Sequence, residues 1–204
     1  MQYLKDERGI SEEVVRQYRI GFARGGDSPR PYPDHAAFVI PVFSEHGETV
    51  TIRRRFYLRV PKEDAGSRLV KVVGLPGHKA ALFPGEPDIG PVILVAGEFD
   101  ALCGRSNGLP TISTTCGASL PAELASRFRY RPVAVMFDAQ ESEQEAADRV
   151  VDRLKIAGAD AWRVDLRDRG MRDGEDLTDW FVKYGRSERQ LRNLIRASRR
   201  RAAA

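Results

Sequence analysis

Four short apolar runs in the second half of the chain, residues 92–95, 111–115, 133–137 and 161–166, alternate with segments whose apolar positions recur at helical spacing. Unbroken runs rich in Val and Ile suit strands covered on both faces, as a parallel sheet provides. Helices are predicted near 100–106, 121–128, 143–157 and 177–184. In the third, Ala147, Val150, Val151 and Leu154 share a face and Gly158 closes the element. This alternation predicts a parallel sheet with crossover helices.

The first half follows a different pattern. Ser11-Glu-Glu-Val-Val opens a capped helix, with Val14, Val15 and Tyr18 as its apolar stripe and Gly21 as its stop. Residues 25–34 read as loop, and 37–43 and 50–60 as strands joined across Glu45-His-Gly-Glu. That pattern predicts a small α+β unit. Five breakers from Pro84 to Pro91 mark the boundary, giving an α+β subdomain over 1–88 and an α/β domain over 91–185. A tail over 186–204 carries a capping-box pair, Ser187 and Gln190, ahead of a narrow stripe of Leu191, Leu194 and Ile195.

Composition narrows the function classes. With 204 residues, 42% hydrophobic and 30% charged, the chain reads as an ordinary globular protein large enough for a core. No apolar stretch reaches membrane-spanning length and the N-terminus is polar, so a cytoplasmic protein without membrane contact is expected. Two separate cysteines and three scattered histidines cannot assemble a structural zinc site. The formal charge of +4 is concentrated locally. Arg53-Arg54-Arg55 leads into Arg59, Lys62, Arg68, Lys71 and Lys79, and a second cluster runs from Lys183 to Arg201 with Arg192 and Arg196 inside it. Such clusters point to a polyanion partner. Consecutive arginines on a strand alternate faces, so the three cannot line one groove.

Three acidic segments fall at the ends of predicted elements: Gly97-Glu98-Phe99-Asp100, Phe137-Asp138-Ala139-Gln140 and Asp173-Gly174-Glu175-Asp176 followed by Asp179. Their order and spacing resemble the Toprim domain of DNA primases and topoisomerases, and the last segment is especially primase-like. The first half is similar to the start of the DnaG-type primase RNA-polymerase domain, through residues 3–22, Phe38-Val-Ile-Pro-Val-Phe, Gly47 and Arg55. The resemblance reaches from about residue 3 to 184. It implies a Toprim domain preceded by a primase-like α+β subdomain and followed by a basic C-terminal helix. It also implies template-directed primer synthesis with Mg²⁺ or Mn²⁺, since nucleotidyl transfer depends on charge neutralisation by a hard cation on carboxylates.

On that resemblance Glu98, Asp100 and Asp138 are the catalytic candidates, and Asp138, Asp176 and Glu98 the metal ligands. Arg53, Arg55, Lys71, Lys79, Arg192 and Arg196 are the nucleic-acid candidates, with Arg55 foremost. Implied partners are single-stranded DNA or an RNA–DNA hybrid, nucleotides, and a replicative helicase or a zinc-binding primase subunit. The zinc-ribbon and helicase patterns of larger primases are not in this chain. Thr114–Ser119 resembles the family's glycine-containing loop near the nucleotide, or else is a plain turn into the next helix.

The chain departs from the family where the chemistry is done. The family's leading glutamate falls on Ala96, and the second aspartate of its Asp-x-Asp falls on Gln140. Alanine can neither bind metal nor move a proton, and an amide oxygen is a weak ligand for a hard dication. Glu98, two residues on along an extended segment, points to the same side as Ala96 and could take over. The alternative is a catalytically degenerate Toprim protein that binds nucleic acid or a replication partner, with Asp100 and Asp138 serving only as helix N-caps.

Overall fold

The computed structural model of the chain describes residues 1–26, 35–44, 46–57, 71–85 and 90–203. Arg59, Lys62, Arg68, Glu45, most of the loop expected over 25–34, the end of the strand expected to residue 60 and the centre of the boundary segment lie outside the described residues. Helix α1 (Gln2–Asp6) leads into α2 (Glu12–Gln17), whose N-cap is Ser11, its side chain accepting from the amide of Val14. Strands β1 (Gly21–Ala23), β2 (Ala37–Phe43), β3 (Thr49–Phe56) and β4 (Val72–Gly74) form an antiparallel sheet in that order. Arg53 pairs across the sheet with Ile40 and Arg55 with Phe38, both members of the core. Arg53 and Arg55 therefore share the inward face and Arg54 takes the other, as the two-residue period requires.

The second sheet has the order β5-β7-β6-β8-β9. Strands β6 (Val92–Val95), β7 (Thr111–Thr114), β8 (Pro132–Val135) and β9 (Asp160–Arg163) are parallel, and β5 (Leu82–Phe83) joins antiparallel at the edge of β7. Sequence patterning gives the four parallel strands and misses β5, whose two residues are too few to show a period. The crossovers are α3 (Glu98–Ser106), α4 (Ala122–Ala125) and α5 (Glu141–Ile156), while α6 (Leu177–Val182) and α7 (Glu188–Ala202) follow β9.

Both faces of this sheet are buried. Ile93 and Val95 pack with α1, α2, α3, α6 and α7 in one cluster, and Val92 and Leu94 pack with α4 and α5 in the other. That two-sided burial is why β6 reads as an unbroken apolar run. Phe38, Ile40 and Val42 of β2 belong to the first cluster, so the core is continuous between the small sheet and the parallel sheet. A Cβ built on Gly104 would lie 2.3 Å from Cγ2 of Thr111, so α3 approaches β7 this closely only because residue 104 lacks a side chain. No helix among the described residues is long and apolar enough to cross a membrane.

Candidate functional site

The acidic segments gather outside the carboxyl ends of β6 and β8, where open parallel sheets place ligands. Neither Asp100 nor Asp138 caps its own helix. Gly97 is the N-cap of α3, which puts Asp100 inside the first turn, and Gln140 is the N-cap of α5, two residues past Asp138. The simple capping explanation is therefore set aside for both. Asp100 instead reaches across to α6, accepting from the amide (3.2 Å) and the hydroxyl (2.8 Å) of Thr178. Asp176 caps α6 itself in a reciprocal box with Asp179. The N-terminus of one helix thus draws three carboxylates, because its free amides and positive dipole end favour them. A side chain at Gly97 would meet Oδ2 of Asp100 at 2.9 Å, so the glycine gives this carboxylate its room.

Asp138 accepts no hydrogen bond on its carboxylate among the described residues. Burial, and then the neighbouring charge of Asp176, push its pKa up to about 7. Burial followed by Asp138 raises Asp100 to about 6, and burial followed by Asp100 raises Asp176 to about 7. The three repel one another in a partly desolvated pocket. Arg55 moderates this: its charge lowers both Asp100 and Asp138, and its guanidinium stacks 4.6 Å from the ring centroid of Phe99. Glu175, by contrast, is a structural group. Burial opposes its charge, but hydrogen bonds from Lys183, the amide of Arg172 and Tyr184 bring its pKa down to about 2.

Glu98 does not stand in for the missing glutamate in this arrangement. It opens α3 instead of continuing the extended segment, and its buried carboxylate accepts from Nε of Arg53 at 2.8 Å. The same-side argument fails because helical geometry starts at Glu98 itself. Ala96 is half-buried and Gln140 is exposed. Among the described residues, no three His, Cys, Asp or Glu side chains are arranged to hold a metal ion. Asp100 and Asp176 each spend one oxygen, Oδ1, on α6, and with Ala96 and Gln140 supplying no carboxylate the donor set is reduced to their second oxygens and Asp138.

The basic candidates do not form one groove. Arg53 and Arg55 lie inside, beside the acidic edge, while Lys71 and Lys79 are exposed near β4. Arg192 and Arg196 sit on α7, which crosses the opposite ends of the same strands, near Pro91, Pro110 and Pro132. Arg192 pairs with Glu188 and donates to the carbonyl of Gly108, and Arg196 is exposed. The loop at 114–119 is closed by its own Thr114 hydroxyl, which donates to the Ser119 carbonyl at 2.7 Å. The α6 box is the feature that sequence reading missed. Its signal, Asp176 followed three residues later by Asp179, was available but resembles the Ser/Thr-x-x-Glu form only loosely.

The raised aspartates give a pH prediction. A carboxyl whose folded pKa exceeds its unfolded value stabilises the fold below the unfolded pKa, and that contribution is lost as pH rises through the folded pKa. Stability should therefore fall between about pH 4 and 7. Asp138→Asn should remove part of that fall, gaining on the order of 1 kcal/mol at pH 8. Glu175 works in the opposite sense, its stabilisation being lost below about pH 4. Urea midpoints at pH 5 and 8 for both chains would check this, and a wild-type midpoint that rises with pH would contradict it.

No protein-family profile and no curated protein matches the chain. Solved structures do. A primase of Aquifex aeolicus with its zinc-binding and RNA-polymerase domains superposes with a TM-score of 0.73 at 20% identity, covering 97% of this chain and 55% of that one. A DnaG primase catalytic domain bound to single-stranded DNA gives 0.68 at 16% identity, covering 97% and 73%. The primase fragment of the bacteriophage T7 primase-helicase gives 0.59 at 17% identity, covering 92% and 72%. The chain thus spans little more than half of the Aquifex protein. These likenesses show that the fold is that of the DnaG-type primase catalytic domain, a Toprim sheet preceded by the small antiparallel subdomain.

Proposed function

We propose that this chain is a nucleic-acid-binding module on the primase catalytic fold whose acidic edge no longer carries primer synthesis. The observation that carries the reading is the buried Arg53–Glu98 pair beside Ala96. The one acid that could replace the missing glutamate is neutralised by an internal guanidinium. A buried carboxylate held this way has its oxygen spent inside the protein and is poorly placed to bind a metal.

Binding has separate support. Lys71 and Lys79 are exposed, and Arg55 faces the edge where a phosphate would approach the raised aspartates. The likeness to a primase domain bound to single-stranded DNA and to a phage primase-helicase suggests a single-stranded template and a replicative helicase as partners. Phosphate contacts of this kind supply salt-dependent affinity and read no sequence. For oligothymidine measured by fluorescence anisotropy, the doubly substituted chain with Lys71→Ala and Lys79→Ala should bind about tenfold more weakly. Its log–log salt slope should shrink by roughly 1.4, two phosphates released from a single strand. Affinity that is the same at low and moderate salt would overturn the binding role.

One observation favours a second reading. Asp100, Asp138 and Asp176 repel one another strongly enough to raise all three, which is the electrostatic situation a cation relieves. On that reading the chain is a primase-type nucleotidyltransferase using Mg²⁺ or Mn²⁺ on Asp138 and Asp176. It would draw on the Asp138 carboxylate and on the oxygen of Asp176 that the α6 cap does not use.

A further inference from the structure

We propose that the cleft at the opposite edge of the parallel sheet binds an acidic peptide segment of a partner protein, anchored by one bulky apolar side chain. The cleft has a volume of about 420 Å³ and lies under α7, at the starts of β6, β7 and β8. Each of these strands begins at or just after a proline: Pro91, Pro110 and Pro132. The start of a parallel strand ordinarily offers an amide donor, and proline has none. The floor is therefore carbon, completed by Ile93, Ala134 and Ile195.

The rim has the opposite chemistry. Arg192, Arg196 and Arg199 all line the cleft from successive turns of α7. Arg199 pairs with Asp160 and Arg192 with Glu188, while Arg196 is exposed with no ion pair among the described residues. Trp162 lines the same cleft, 4% exposed, and its indole N–H is buried with no hydrogen-bond partner among the described residues. A carboxylate complements the arginines, and the apolar floor takes a side chain.

Nucleic acid fits the cleft less well. The Arg199 guanidinium already stacks 5.0 Å from the Trp162 ring centroid, covering a face on which a base would stack, and proline and aliphatic carbon make up the floor. The position also leaves the acidic edge free, so a protein partner held here would not compete with a template held there.

The test uses a fluorescein-labelled hexapeptide containing one phenylalanine among five aspartates, titrated with the full chain and followed by anisotropy. Saturable binding is expected, about tenfold weaker for Arg196→Glu and for Ile195→Ala. The charge-matched Arg200→Glu, on the same helix but outside the cleft, should bind as the wild type does. Circular dichroism on each variant confirms that the fold is kept. Absence of binding at millimolar peptide would overturn the proposal. So would equal binding of a serine-for-phenylalanine peptide, equal loss with Arg200→Glu, or labelled oligothymidine binding in place of the peptide with the same dependence on Arg196.

Discussion

Arg53→Met is expected to destabilise the fold by about 3 kcal/mol, among the largest effects of any single polar substitution in the chain. The side chain of Arg53 is 18% exposed and that of Glu98 only 6%, so removing the guanidinium leaves a carboxylate buried with its partner gone. The pair sits where β3 meets the first turn of α3, and the guanidinium lies so close to β4 that a Cβ on Gly74 would meet Nη1 of Arg53 at 2.9 Å. Solvent cannot readily fill the space. The partner substitution supplies the control: Glu98→Gln in the Arg53→Met background removes the unpaired charge and should recover most of the loss. Urea unfolding of the two single variants and the double, at pH 7, gives the full cycle. A loss under 1 kcal/mol for Arg53→Met would mean that Glu98 is free to serve elsewhere, and the case against a metal role for it would collapse.

The second large effect is a gain. Joining Ala96→Glu with Gln140→Asp puts a carboxylate back at the end of β6 and another beside Asp138. Ala96 is half-buried at the margin of the core, and Gln140 is exposed ahead of α5, so neither change forces a side chain into a filled core. With five carboxylates at one edge, repulsion rises and a dication becomes the most effective relief. Calorimetric titration with Mn²⁺ should show at least about tenfold tighter binding by the double variant than by the wild type. Equal affinity in the two chains would show that these positions do not decide the metal question. The double variant should also be less stable than the wild type in the absence of metal, because two further charges join a cluster already raised by crowding.

How much of this was legible in the sequence depended on how local each interaction was. The Ser11 cap, the Ser187–Gln190 box and the alternation of Arg53 and Arg55 against Arg54 are set within a few residues, and all are present in the structure. The parallel strands and their order of appearance followed from two-sided burial. What sequence could not place were contacts spanning long separations: Glu98 with Arg53, 45 residues earlier, and Asp100 with Thr178, 78 residues later. These two contacts change the meaning of the acidic motifs, because they decide which oxygens are spent inside the protein. The division of basic residues between two edges was hidden for the same reason. The stripe of Leu191, Leu194 and Ile195 predicts a packed helix without saying which end of the sheet it covers. It does show that removing α7 would strip Leu191 and Leu194 from the core, so substitution is a sounder probe of its arginines than truncation.

The most direct test of the central claim is incorporation of labelled ribonucleotides by the wild-type chain on single-stranded DNA to which it is shown to be bound, with Mg²⁺ and then Mn²⁺ present. The account predicts DNA binding that is unchanged by EDTA and no template-dependent product above the level without protein. Template-dependent primers that require the metal would contradict it, and would mean that Asp138 and its neighbours still do the work of the missing glutamate.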